Sequence, residues 1–116
     1  MIATETLTEQ PAVETPKPLK LSEAMRIGSM TTKQAFGKWT GQDGSFCAIA
    51  TAAHMYGVTS LSIVELLESR RVTWPECSHP TFSGKPGSLA GALVHVNDEH
   101  KWPRHKIADW LESIAL

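Results

Sequence analysis

Cysteine is scarce in this sequence: Cys47 and Cys77 are the only two in 116 residues. That number allows one disulfide but excludes a disulfide framework, and without an export pattern both thiols read as reduced. An excess of either charge is also missing, since 11 Lys and Arg stand against 12 Asp and Glu, for a formal net charge of −1. Such a chain offers nucleic acid no overall basic field, so nucleic acid is not expected as a partner. No apolar run approaches the roughly 20 residues that a bilayer span requires, so no membrane is expected either. The opening "MIATETLTEQPAVETPKPLK" lacks the basic start and apolar stretch of a secretory leader. Strand-type alternation is absent throughout, which removes most β architectures.

What is present suits one small helical domain. Apolar residues make up 41% of the chain and charged residues 20%, enough for a modest core. Residues 1–20, with Pro11, Pro16 and Pro18, bury too little to offset their ordering entropy and read as a flexible N-terminal arm. Residues 21–116 read as a compact, all-α domain of four or five short helices. Ser22 is a candidate N-cap for "SEAMRIGSM", and "TGQDGS" is a turn by its Gly and Asp content. "SFCAIATAAHMYG", capped by Ser45 and closed by Gly57, is apolar on nearly every face and predicts a central buried helix. Ser62 and Glu65 suggest a capping box for the next helix. Residues 72–87 form a Pro- and Gly-rich loop. Ser88 caps "LAGALVHV", where Leu89, Ala92, Leu93 and Val96 share one face, and Pro103 opens a last helix inscribed by Ile107, Trp110, Leu111 and Ile114.

The stretch "HVNDEHKW" gathers the most chemistry into the least sequence. As a helix corner it needs no ligand. His95 and Val96 end one helix, Asn97 takes a left-handed or capping conformation, Asp98 accepts backbone N–H groups, and Trp102 packs over the joint. Three sharper readings compete. Gln42, Cys47 and His95 resemble the oxyanion Gln, nucleophile and base of papain-like cysteine hydrolases, because a helix N-terminus lowers a thiol pKa. Against that reading, such enzymes carry the His on a sheet. Cys77, His79, His95 and His100 are zinc-ligand types, though their spacing is unlike a paired-ligand motif, and loop or surface histidines are the plain alternative. "RHKIADWL" echoes the opening of a helix-turn-helix, but no recognition helix follows it.

"CAIATAA", "HVNDEHKW" and "IADWLE" together resemble a family of small uncharacterised proteins encoded by bacteria and their phages. In that family the second motif reads His-Leu-Asn-Asp-x-His-x-Trp, followed by Thr-Arg-Glu and then Ile-Ala-Asp-Trp. Here Val96 replaces the Leu, and Pro103-Arg104-His105 replaces Thr-Arg-Glu. A Cys-Pro-x-Cys common in the family's loop is represented by Cys77 and His79 alone. The resemblance spans about residues 20 to 115 and implies a prokaryotic or phage origin without implying an activity. The expectation is therefore a small soluble accessory protein or inhibitor, in the host cytoplasm or the phage particle. It would dock on a larger protein and use no cofactor. Trp74, Phe82, His100 and Lys101 are its candidate contact residues.

Overall fold

The computed structural model describes residues 20–77 and 83–116. The expected arm over 1–20, apart from Lys20, lies outside the described residues, as do His79 and Phe82. The chain runs α1 (Leu21–Thr31), α2 (Ala48–Tyr56), α3 (Ser60–Glu68), β1 (Arg71–Thr73), β2 (Pro86–Ser88), α4 (Leu89–Val94), a π-helical turn (His95–Glu99) and α5 (Arg104–Ser113). The mostly helical domain is thus as expected. The hairpin is a correction: β1 and β2 pair antiparallel, Val72 opposite Gly87, at the two ends of the stretch read as loop. Strands of three residues are too short to show alternation, so the sequence carried no signal for them.

α2 is the central helix. Ala48, Ile49, Ala50, Thr51, Ala52 and Ala53 are all buried. Its small side chains let α1 approach so closely that a Cβ on Gly28 would stand 2.1 Å from Thr51 Cγ2. α1 also packs along α5, and exposed Asp109 and Glu112 on α5 take Arg26 of α1 in two ion pairs. Leu93 of α4, Val96 of the π turn and Ile107 and Leu111 of α5 are 0% exposed and close the core. Each fully buried side chain of this size contributes about 1.5–3 kcal/mol.

Helix ends correct several expected caps. Ser45 belongs to the preceding turn, where its hydroxyl donates to Asp43 at 2.6 Å, and α2 starts later, with the Cys47 sulfur accepting from Ala50 N at 3.4 Å. Thr59, not Ser62, caps α3, because its hydroxyl accepts from Ser62 N at 3.1 Å. Ser22 is buried inside α1, whose N-cap is Lys20. Gly57, at φ 72°, ends α2 in the left-handed conformation as expected, and Ser88 caps α4 through Gly91 N at 2.9 Å.

Candidate metal centre

The joint between α4 and α5 is where the chain departs from a regular helix. His100 N bonds His95 O at 3.4 Å, an i to i+5 bond, and Trp102 N bonds Val96 O at 2.9 Å. This register changes which side chains share a face. Five residues along an α-helix separate two side chains by roughly 140° around the axis. Along a π turn of about 4.4 residues they separate by roughly 50°. His95 and His100, which an α-helix would point apart, therefore converge, with their Nε2 atoms 3.1 Å apart.

A third ligand-type atom arrives from the hairpin. Cys77 Sγ stands 3.5 Å from His95 Nε2, and the three ligand atoms all lie within 4.8 Å of one another. Cys77 is placed by its own N–H donating to Ser83 Oγ at 3.0 Å and by buried Pro75 just before it. Trp74 anchors the strand exit. Its N bonds Lys85 O at 2.8 Å and its indole N–H bonds Ser88 O at 3.0 Å. Its ring packs against His95 at 5.3 Å between centroids. Only glycines fit beneath that ring, since a Cβ on Gly87 would meet the indole nitrogen at 2.5 Å and one on Gly91 would meet Cζ2 at 3.0 Å.

His95 is buried, at 5% exposure, and its other nitrogen is spoken for: Nδ1 lies 3.2 Å from Glu99 Oε1. With the proton on Nδ1 donated to Glu99, Nε2 presents a lone pair, the tautomer a metal ligand requires. A carboxylate behind a ligating histidine is the usual outer support of a zinc site. A cation seated among the three atoms would be ligated by all of them in place of these mutual contacts. Zinc with nitrogens at about 2.0–2.1 Å and sulfur at about 2.3 Å in tetrahedral array sets N···N near 3.3 Å and S···N near 3.5 Å. Two of the three separations, 3.1 and 3.5 Å, are close to that array, and the third, from Cys77 Sγ to His100, lies within 4.8 Å.

The corner residues do different work from that expected. Asn97 is not left-handed; Lys101 is, at φ 53°. Asn97 is 1% exposed. Its Oδ1 accepts from Ala48 N at 3.2 Å and from Gln34 Nε2 at 2.8 Å, and its Nδ2 donates to Ala35 O at 2.9 Å. Asp98 does accept a backbone N–H, that of Gly37 at 2.9 Å. Trp102 is only half-buried, beneath the ammonium of Lys106 at 4.2 Å.

The papain-like trio is not assembled in this arrangement. Gln42 is exposed in a turn, Cys47 caps α2, and the thiol within hydrogen-bond distance of His95 is that of Cys77. Burial raises the Cys47 thiol pKa, the direction opposite to that of a reactive thiolate. Of the expected contact residues, Lys101 is exposed over Phe36, His100 is half-buried against His95, and Trp74 is held as described. Glu99 and the Trp74 packing were absent from the sequence reading; the i, i+4 spacing of His95 and Glu99 was the one available signal.

Fold and cluster define a small, mostly helical domain carrying convergent metal-ligand side chains. Compared with family models, with curated proteins and with solved structures, the chain matches none.

Proposed function

We propose that this protein binds a divalent metal ion of the zinc type through Cys77, His95 and His100. The observation that carries the reading is the convergence of three ligand atoms within 4.8 Å of one another, with Glu99 beside the buried histidine. A thiolate with two imidazoles is a borderline-soft set that favours zinc and its neighbours over magnesium or calcium. Three protein ligands leave a fourth position for water or another donor. Titration with cobalt(II), followed by zinc displacement, tests the proposal. One equivalent should bind with a thiolate-to-cobalt charge-transfer band, and Cys77→Ser and His95→Ala should each lose the band. Binding no stronger than in those variants would sink it. His79→Ala in the same titration asks whether the undescribed part of the loop adds a ligand.

A second reading, docking on a larger protein, is favoured by a different observation. Leu61, Leu66 and Val58 are 63%, 65% and 45% exposed. Leu66 and Val58 border an apolar groove of about 660 Å³ that Tyr56, Ile63 and Leu89 help to line. Apolar surface of this kind marks interaction sites. If the chain is of bacterial or phage origin, as its resemblance to small bacterial and phage proteins implies, such a partner would belong to a bacterial host, with the protein in the cytoplasm or the phage particle. Among the described residues no helix is long and apolar enough to cross a membrane. A stoichiometric partner retained by the wild type and lost by Leu66→Glu supports docking; one retained equally by both does not.

A further inference from the structure

The two histidines of the cluster straddle the π turn, His95 as its first residue and His100 just after its last. An ion bound to both therefore clamps the two ends of an uncommon backbone register. π turns are rare and are frequently found at functional sites. In the α register His95 and His100 diverge, and neither could share an ion with the other. Metal binding and π register thus support each other.

The turn between those ligands also holds a second part of the chain. Residues 33–46 connect α1 to α2, and of these only Ala35 and Ser45 are buried, while Phe36 through Thr40 are exposed. The segment's apolar anchors are Ala35 and half-buried Phe46, which packs on the core and stacks on His54 at 4.8 Å between centroids. Its ties to the π turn are polar: Ala35 O to Asn97 Nδ2 at 2.9 Å, Gly37 N to Asp98 Oδ1 at 2.9 Å, and Gln34 Nε2 to Asn97 Oδ1 at 2.8 Å. Segments held by a few such bonds open before the core does. The segment ends by covering Cys47, whose N–H donates to Trp39 O at 2.9 Å. A crevice of about 100 Å³ between Trp39, Asn97 and Asp98 reaches that residue.

We propose that the protein is a metal-responsive switch: an ion at Cys77, His95 and His100 fixes the π turn, and the turn, through Asn97 and Asp98, keeps the 33–46 segment closed over Cys47. Loss of the ion releases the register, rotates Asn97 and Asp98 away from Ala35 and Gly37, and opens the segment. The proposal rests on the metal reading above, and adds to it what the ion controls.

The chain's two cysteines supply separate reporters. Alkylation is followed residue by residue on the full chain, with zinc or with a chelator. Protection of Cys77 by zinc reports binding; protection of Cys47, which is not a ligand, reports the switch. Both should alkylate at least about tenfold faster in chelator, as expected when a local closing equilibrium is lost. Amide exchange at Ala35, Gly37 and Phe46 should accelerate with Cys47, while Ile107 in α5 stays protected. Zinc protection of Cys77 with Cys47 indifferent would overturn the switch and leave the metal site standing. No zinc protection of Cys77 would remove the metal reading, and the switch with it. Acceleration at Cys47 matched by acceleration at Ile107 would mean global unfolding and would also overturn the switch. Since the comparison is made on the unmodified chain, it does not depend on a variant folding. Asp98→Ala then checks the route: zinc still protects Cys77, but Gly37 exchange no longer responds.

Discussion

At the scale of single residues, Asn97 is a buried polar junction, 1% exposed. Its amide serves the start of α2 through Ala48 N and the 33–46 segment through Ala35 O and Gln34. Asn97→Ala would strand the buried Ala48 N and Ala35 O, each at about 1–3 kcal/mol, while Gln34 Nε2 keeps its bond to Trp102 O. A loss of about 2–4 kcal/mol in urea unfolding is expected on that basis; a loss below about 1 kcal/mol would mean water or relaxation replaces the amide. Cys47 makes a prediction in pH. Burial raises its pKa in the folded chain, so the unfolded chain gives up that proton first. The thiol's contribution to stability is whole below the ordinary value near 8.5 and is lost as pH rises from there through the folded value. The urea midpoint of the wild type should fall more steeply above that pH than that of Cys47→Ala, and equal slopes would contradict the shift. Arg104 is buried at 3% exposure and bonds Thr32 and Thr51. Burial lowers its pKa, yet a guanidinium remains charged at any ordinary pH.

Between elements, the decisive contact is α1 on α2. Gly28 lies mid-helix, where alanine would ordinarily gain about 1 kcal/mol in helix propensity. Here the added Cβ would overlap Thr51 Cγ2, which itself lies in the buried helix. Gly28→Ala is therefore expected to destabilise, by about 1–3 kcal/mol as overpacked cores do. The double variant Gly28→Ala with Thr51→Ser, which removes the opposing methyl, should recover part of that loss. A neutral or stabilising Gly28→Ala would show that the helices move apart freely. At the other end of the core, Trp74 settles over Gly87 and Gly91, so a two-strand hairpin that would be marginal alone is held against α4.

For the molecule as a whole, an ion bound as proposed would join parts that the chain keeps distant. Cys77 comes from the loop after β1, and His95 and His100 from the joint before α5. An ion that binds only the folded state adds RT ln(1 + [L]/Kd), about 2.7 kcal/mol at a hundredfold excess over Kd. Thermal melts should therefore rise with zinc in the wild type and stay fixed in Cys77→Ser. The gain should shrink as pH falls, because all three ligands bind deprotonated. An equal rise in the variant would assign the effect to other sites. Surface variants on α3 should leave this response unchanged, since Leu61 and Leu66 lie mostly in solvent.

The sequence determined the helical class and most of the core. Apolar spacing placed Leu89, Ala92, Leu93 and Val96 on a buried face, and the alanine-rich run around Thr51 became the central helix. These are local patterns, and burial of a repeating face follows from them directly. Caps were less legible: Ser45, Cys47, Thr59 and Ser62 are all eligible, and helix starts shift by a few residues with whichever side chain reaches a free N–H. Cys77, His95 and His100 could be named from the sequence as ligand types, but their spacing argued against a site. Tertiary structure supplied the missing geometry. A π turn, stabilised by Asn97 and Asp98 reaching a segment some 60 residues earlier, turned two diverging histidines toward each other. A hairpin too short to announce itself then brought in the cysteine. No local pattern encodes that meeting, because the hairpin and the joint are separate in sequence and come together only once both are packed on the core.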